Sequence, residues 1–205
     1  MKFGDFKRFE PFCEKWGESR GGAIDRFFID AFLRLELKRV RGHILECGGQ
    51  RYRTLVPPPH IVSYDVVDLN PHTPFVTIRG DIQHLGTIAT STYDVVICTQ
   101  VLQYVDDPTR AVSELRRVLC PGGRLLLSVP FIEKDYVRMG DNWRFTRKSV
   151  KLLLSQFRRS EVTTKGNLFS SVCYLSGLGQ ADVSPTDLNR TDRNFYQLVL
   201  AKAWK

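Results

Sequence analysis

A chain of 205 residues, 42% hydrophobic and 25% charged, has a globular composition and enough length for one sizeable core without disulfide or metal staples. Its apolar runs fall short of the roughly 20 residues that cross a bilayer, and "MKFGDFKRFE" lacks the apolar stretch of a secretory leader, so a cytoplasmic protein is expected. The net charge of +8 is concentrated late, with 13 basic and 7 acidic side chains over residues 131–205, among them Arg138, Arg144, Arg147, Lys148, Lys151, Arg158, Arg159 and Lys165; this suits either a solvated helix face or a surface that meets an anion.

In chain order, "AIDRFFIDAFLRLEL" predicts an amphipathic helix with Ile24, Phe27, Phe28, Ala31, Phe32 and Leu35 on the buried face and Asp25, Arg26, Asp30 and Arg34 opposite. "HILEC" is the first expected strand. "SYDVVD", "FVTIRGD", "YDVVICT" and "GRLLLSVP" follow as short apolar strands rich in β-branched residues, separated by loops and helices, which predicts parallel βαβ winding in five successive units. Within "DDPTRAVSELRRVLCPGG", Asp107 is the expected cap and Pro108 the first helical residue. Ala111, Val112, Leu115, Val118 and Leu119 form the buried stripe, and Pro121-Gly122-Gly123 is the stop. Further on, Thr146 caps a helix over "RKSVKLLLSQF", "RRSEVTTKG" reads as a strand, Asn167 opens "LFSSVCYLSGLG", Ser184-Pro185 starts a short turn, and "NFYQLVLAKAW" closes as a strand. Five cysteines without a CxxC pair fit reduced, mostly buried thiols, and no metal site is expected.

Ligands of an open parallel α/β sheet bind beyond the carboxyl ends of its strands. Those positions carry Glu46, Cys47, Gly48 and Gly49 after the first strand, then Asp68, Asp81, Thr99 with Gln100, and Pro130 with Phe131. Acids at three successive strand ends suit a ligand with hydroxyls, an amino group or a positive charge. Asp68 stands 20 residues after Gly48, the interval at which an acid reaches ribose hydroxyls. A turn or helix cap is the structural alternative for Asp81.

The block "YDVVICTQVLQYVDDPTRAVSELRRVLCPGGRLLLSVPF" resembles the class I S-adenosylmethionine (SAM)-dependent methyltransferases of the broad type-11 group. The resemblance implies a Rossmann-like α/β fold: a seven-stranded sheet with its last strand antiparallel and helices on both faces. It implies one methyltransferase domain over 1–205, with an N-terminal helical segment (1–42), a SAM-binding half (43–131) and a substrate-side half (132–205). The implied cofactor set is Glu46, Cys47, Gly48, Gly49, Asp68, Leu69, Asp81, Ile82, Thr99 and Gln100. In it Glu46 and Gly48 shape the turn under the methionine end, Asp68 takes the ribose hydroxyls, Asp81 with Ile82 meets adenine, and Thr99 and Gln100 lie near the sulfonium.

Two departures stand out. Gln50 and Tyr52 occupy the places of the family's second and third loop glycines, which would weaken SAM binding if close backbone approach were needed there. "QVLQYV" carries Gln100 and Gln103 where many relatives have histidines. "LECGGQRYRT", "DNWRFTRKSV" and "GNLFSSVCYLSGL" resemble a bacterial subgroup associated with glycan assembly, which implies O-methylation of a sugar, a glycan or a related small molecule. The segment "IEKDYVRMGDNWRFT" is expected to wall the substrate site, with Asp141 and Asp135 as candidate bases, Tyr136 and Trp143 packing on a ring, and Arg138 and Arg144 gripping an anionic group. An RNA methyltransferase and a non-catalytic methyltransferase-fold binding subunit are the alternatives, and a monomer or homodimer is expected.

Overall fold

The computed structural model describes residues 7–70, 72–137 and 140–205. Seven strands form one sheet: β1 (Gly42–Cys47), β2 (Ile61–Asp68), β3 (Ile78–Arg79), β4 (Tyr93–Thr99), β5 (Leu119–Pro130), β6 (Arg159–Lys165) and β7 (Leu198–Trp204), in the order β3-β2-β1-β4-β5-β7-β6. The pairs from β3 through β5 are parallel, whereas β7 runs antiparallel to both β5 and β6. This is the Rossmann-like class I sheet expected, with its antiparallel strand inserted next to the edge.

Side chains alternate across each strand, which builds one core on each face. Leu45, Val67, Val96, Cys98, Leu125 and Leu127 point toward α2 (Pro108–Val118) and α3 (Arg147–Leu153); Ile44, Val66, Val95, Ile97 and Leu126 point toward α1 (Ile24–Leu37) and α4 (Leu168–Leu175). Capping follows from local chemistry. Asp107 accepts from Thr109 N and Arg110 N at the start of α2, Thr146 caps α3, and Asn167 forms a reciprocal box with Ser170 at α4. A four-residue helix, α5 (Pro185–Leu188), starts at Ser184. All five cysteines are free, and Cys47, Cys98 and Cys173 are buried.

Three sequence expectations are corrected. The five βα units reduce to one helical crossover, α2 between β4 and β5: among the described residues, β1 and β2 are linked by two 3-10 turns, and β2, β3 and β4 by turns alone. "FVTIRGD" yields only a two-residue strand because Phe75 takes a positive φ of 67° and turns outward. The third correction is that α1 is rotated. Its buried line is Ile24, Asp25, Phe28, Ile29, Leu33 and Leu37, while Leu35 is 68% exposed. This helix is apolar over more than half its circumference, so periodicity admits two stripes, and packing on Ile44, Val95 and Leu126 selects the one that carries Asp25 inward.

Candidate functional site

The loop after β1 sits at the carboxyl edge of the sheet. Positive φ falls on Gly48 (+82°) and Gly49 (+146°), and on neither Gln50 nor Tyr52, whose φ is −110°. A Cβ on Gly48 would come within 2.9 Å of Val101 Cγ2, so position 48 needs glycine for both space and φ, while position 49 needs it for φ only. The residues that replaced glycines build the loop differently. Glu46, 2% exposed, accepts from Arg51 N (2.9 Å), Tyr52 N (3.3 Å) and the Tyr64 hydroxyl. Its burial pushes the carboxyl above its usual range, against the pull of those hydrogen bonds. Tyr52 turns into the core, and its hydroxyl accepts from Arg26 Nη1 at 3.0 Å.

Beside this loop lies a cavity of about 300 Å³ lined by Gly48, Asp68, Leu69, Asp81, Ile82, Thr99 and Gln100, with Arg26, Val101, Tyr104 and Val105 among its further walls. Asp68 Oδ1 accepts from Asn70 N (2.9 Å) and Oδ2 from the Thr73 hydroxyl (2.8 Å). A carboxylate has about four acceptor positions, so Asp68 keeps capacity for two more donors. Asp81 is more heavily engaged: Gln83 N and Nε2 occupy Oδ1, and the same Nε2 reaches Oδ2 at 3.0 Å. Gln100 holds φ +54°, an uncommon conformation for a residue with a side chain. Among the sequence candidates, Glu46, Cys47 and Gly49 are not in the lining. Glu46 supports the loop from behind, and the Cys47 side chain is in the core.

A second cavity, about 410 Å³, adjoins the first and shares Arg26, Gln100 and Tyr104 with it. Its other walls include Trp16, Asp25, Gln103, Glu133, Tyr136 and Tyr174. The Trp16 indole N–H donates to Glu133 Oε1, and the Tyr174 hydroxyl donates to Oε2 at 2.6 Å. Burial raises the Glu133 carboxyl to about 7 although both donors favour its ionised form. Asp25 is 5% exposed, its Oδ1 has no hydrogen-bond partner among the described residues, and burial pushes its carboxyl up as well.

The substrate-side candidates fare unevenly. Tyr136 lines the second cavity and meets Trp16 edge-on, ring centroids 5.3 Å apart. Arg138 lies outside the described residues. Asp141, expected as a base, is corrected: its side chain is 0% exposed, both oxygens are held by Arg144 (2.6 and 2.8 Å), and it lines neither cavity. Arg144 is spent in that pair and on the Lys134 carbonyl (2.9 Å), so it grips nothing in the cavities. Trp143 donates its indole N–H to Val105 O at 2.8 Å and fastens the loop after β5, leaving its ring outside both cavities. Asp135 is exposed, and Arg147, Lys148, Lys151, Arg158 and Arg159 are exposed away from both linings. Trp16, Asp25, Arg26, Tyr104, Glu133 and Tyr174 were not singled out from sequence. Glu133 alone had a usable signal, an acid just past the end of β5 within the segment expected to wall the substrate.

Residues 60–127 match the methyltransferase domain family. The malonyl-[acyl-carrier protein] O-methyltransferase of Halalkalibacterium halodurans is 33% identical over 89 residues, 42% of this chain and 32% of that protein. The thiol S-methyltransferase TMT1B of Rattus norvegicus is 32% identical over 91 residues, 38% of this chain and 36% of that protein. The chain therefore spans only 32% and 36% of the lengths of these two curated relatives. Among solved structures, the N-methyltransferase NodS of Bradyrhizobium japonicum WM9, in complex with S-adenosyl-L-homocysteine, aligns with a TM-score of 0.59 at 17% identity, covering 98% of this chain and 94% of that one. At that identity the likeness is one of fold.

Proposed function

This chain carries a methyltransferase domain over residues 60–127 on the class I SAM-dependent methyltransferase fold, and from that premise we propose that it binds SAM and methylates an oxygen of a sugar, glycan or related small hydroxylated molecule. The observation that carries the reading is the pair of cavities meeting at Arg26, Gln100 and Tyr104. One has carboxylate acceptors and apolar walls for a nucleoside, and the other has acids and aromatic rings for a methyl acceptor. The residues fit the cofactor: Gly48 leaves its backbone bare at the cavity wall, Asp68 retains acceptor capacity for ribose hydroxyls, and Leu69, Ile82 and Val105 give apolar surface for adenine. Bound SAM supplies a methyl group already activated on a sulfonium.

The chain's own work is then positional. Arg26, held by Tyr52, faces both cavities and suits the carboxylate of the methionine end, while Gln100 lines both the donor and the acceptor cavity and Thr99 lines the donor side. Asp81 contributes to adenine recognition through whatever capacity Gln83 leaves it. The expected division into a helical segment (1–42), a SAM half (43–131) and a substrate half (132–205) belongs to this reading with one amendment. Trp16, Asp25 and Arg26 bring the N-terminal segment into the acceptor cavity.

The three relatives named act, by name, on oxygen, sulfur and nitrogen, so the choice of oxygen rests on this chain's cavity. Acids beside aromatic rings suit hydroxyl-rich molecules, which present O–H donors on their edges and C–H faces to the rings. The RNA reading lacks support, since the exposed basic residues lie off both cavities. Calorimetric titration with SAM tests the proposal. Wild-type protein binds, and Asp68→Ala binds about 10- to 100-fold more weakly, the equivalent of one charged hydrogen bond. Absence of binding to the wild type at millimolar SAM leaves the non-catalytic subunit as the better reading.

A further inference from the structure

The walls of the second cavity include two carboxyl groups, Asp25 and Glu133. Asp25 lies at the start of α1, on a face otherwise made of Ile24, Phe28 and Ile29, and it is the polar exception in that stripe. Arg26 approaches it to 3.6 Å, outside hydrogen-bond range, and Oδ1 is buried without a partner behind the cavity wall. A buried, unpartnered carboxylate oxygen costs free energy unless a donor reaches it.

Glu133 is held differently. Trp16 and Tyr174, from opposite ends of the chain, each donate to one of its oxygens, fixing the carboxylate in the cavity wall. Trp16 is itself held in place. It has a positive φ of 54° before Gly17, its ring meets Tyr136, and the segment around it is tied down by Phe12 N to Ser176 O (2.7 Å) and by the two-pronged Arg20–Asp182 pair (2.6 and 2.7 Å). Lys15, Trp16, Glu18 and Gly22 of this segment thus form part of the cavity wall.

Resting on the reading of the chain as a SAM-dependent methyltransferase, we propose that Glu133 is the catalytic base that takes the proton from the acceptor hydroxyl. The acceptor is accordingly a hydroxylated molecule of the sugar type, stacked among Trp16, Tyr136 and Tyr104. In the step, the acceptor oxygen forms a bond to the methyl carbon and its proton moves to Glu133. The carbon–sulfur bond breaks with its electron pair remaining on sulfur, which leaves a methyl ether, a neutral thioether and a protonated Glu133. No other reactant is needed.

The charged groups facing this cavity are Asp25, Arg26, Glu133 and, at its mouth, Lys15, Glu18 and Arg51; Arg144 acts on Glu133 from behind. The lining is charge-balanced, which suits an uncharged hydroxylated molecule better than an ammonium ion or a phosphate. Glu133, standing near 7, is ionised in a useful fraction at neutral pH and is a strong enough base to accept a proton in flight.

The test uses full-length protein, SAM labelled in its methyl group, and three probe sets: methyl glycosides, benzylamine and benzyl mercaptan. Methylation of a glycoside is expected, with a rate that climbs with pH to a plateau above about 7. Glu133→Gln is expected to lose about 100-fold or more in that rate, together with the pH limb, while its calorimetric SAM affinity stays unchanged. Tyr174→Phe, which removes a donor that favours the ionised carboxyl, moves the limb to higher pH. Independently of turnover, carbon-13 NMR of glutamate-labelled protein without SAM should show a carboxyl titrating near 7 that is absent in Glu133→Gln and shifted upward in Tyr174→Phe. Transfer to the amine or thiol alone, transfer to none of the probes, or a Glu133→Gln variant that retains its glycoside rate overturns the proposal. Loss of SAM binding in the wild type is a separate result, and it strikes the methyltransferase reading itself.

Discussion

Restoring the missing loop glycine is expected to damage this protein. Tyr52 has an ordinary φ of −110°, a ring that is 2% exposed in the core under α1, and a hydroxyl that accepts from the largely buried Arg26 guanidinium at 3.0 Å. Tyr52→Gly deletes the ring, a change in the class of aromatic-to-small core substitutions that cost about 3–5 kcal/mol. It adds about 0.5–1 kcal/mol of backbone entropy, and it removes a hydrogen bond to a charged group, about 1.5–3 kcal/mol. The lower ends alone sum to about 5 kcal/mol, comparable with the entire stability of many domains. Tyr52→Phe isolates the hydroxyl and should cost about 1.5–3 kcal/mol, or a fall of about 3–12 °C in Tm at this chain length. Urea denaturation at pH 7 gives the stabilities, and SAM titration of the Phe variant reports whether Arg26 has lost its orientation. A Tyr52→Gly protein as stable as wild type, or a Phe variant within about 0.5 kcal/mol of it, the scatter of a neutral surface change, would refute the reasoning that Tyr52 is a structural replacement for glycine.

Asp141→Asn should destabilise the chain by about 2–3 kcal/mol, below the 3–5 kcal/mol of a fully buried broken pair because Arg144 is 30% exposed. Its SAM affinity should be unchanged, and a selective loss of turnover without loss of stability would return Asp141 to the site. Glu133 sets a pH dependence of stability. Its folded-state value of about 7 lies above the usual 4.5, so between these the native state holds more proton than the unfolded one, and Glu133's contribution to stability falls as pH rises through that window. Denaturation from pH 4.5 to 8 should show a decline that Glu133→Gln flattens; parallel curves would exclude it. Cys13, lowered to about 7 chiefly by hydrogen bonding from the Ser19 side chain, should be alkylated by iodoacetamide before the buried Cys47, Cys98 and Cys173. Peptide mass mapping that finds Cys120 modified first would contradict that assignment.

Local patterning was enough to find the strands β1, β2, β4 and β5, the caps Asp107, Thr146 and Asn167, and the strand-end positions Gly48, Asp68, Asp81, Thr99 and Gln100. Each of these depends on period-two alternation, on a side chain bonding backbone two or three residues away, or on the edge at which a parallel sheet presents its loops. Those are short-range properties, and the sequence by itself determined them. Which face of α1 turned inward was decided by the sheet it packs on, and with it came the burial of Asp25 and the placement of Arg26 against Tyr52. Asp141 looked like a free acid until the fold set Arg144 against both its oxygens. Glu133 became a cavity base because Trp16 and Tyr174, 117 and 41 residues away along the chain, were brought onto its two oxygens. Partnering and desolvation of this kind are long-range, and only the tertiary structure could decide them.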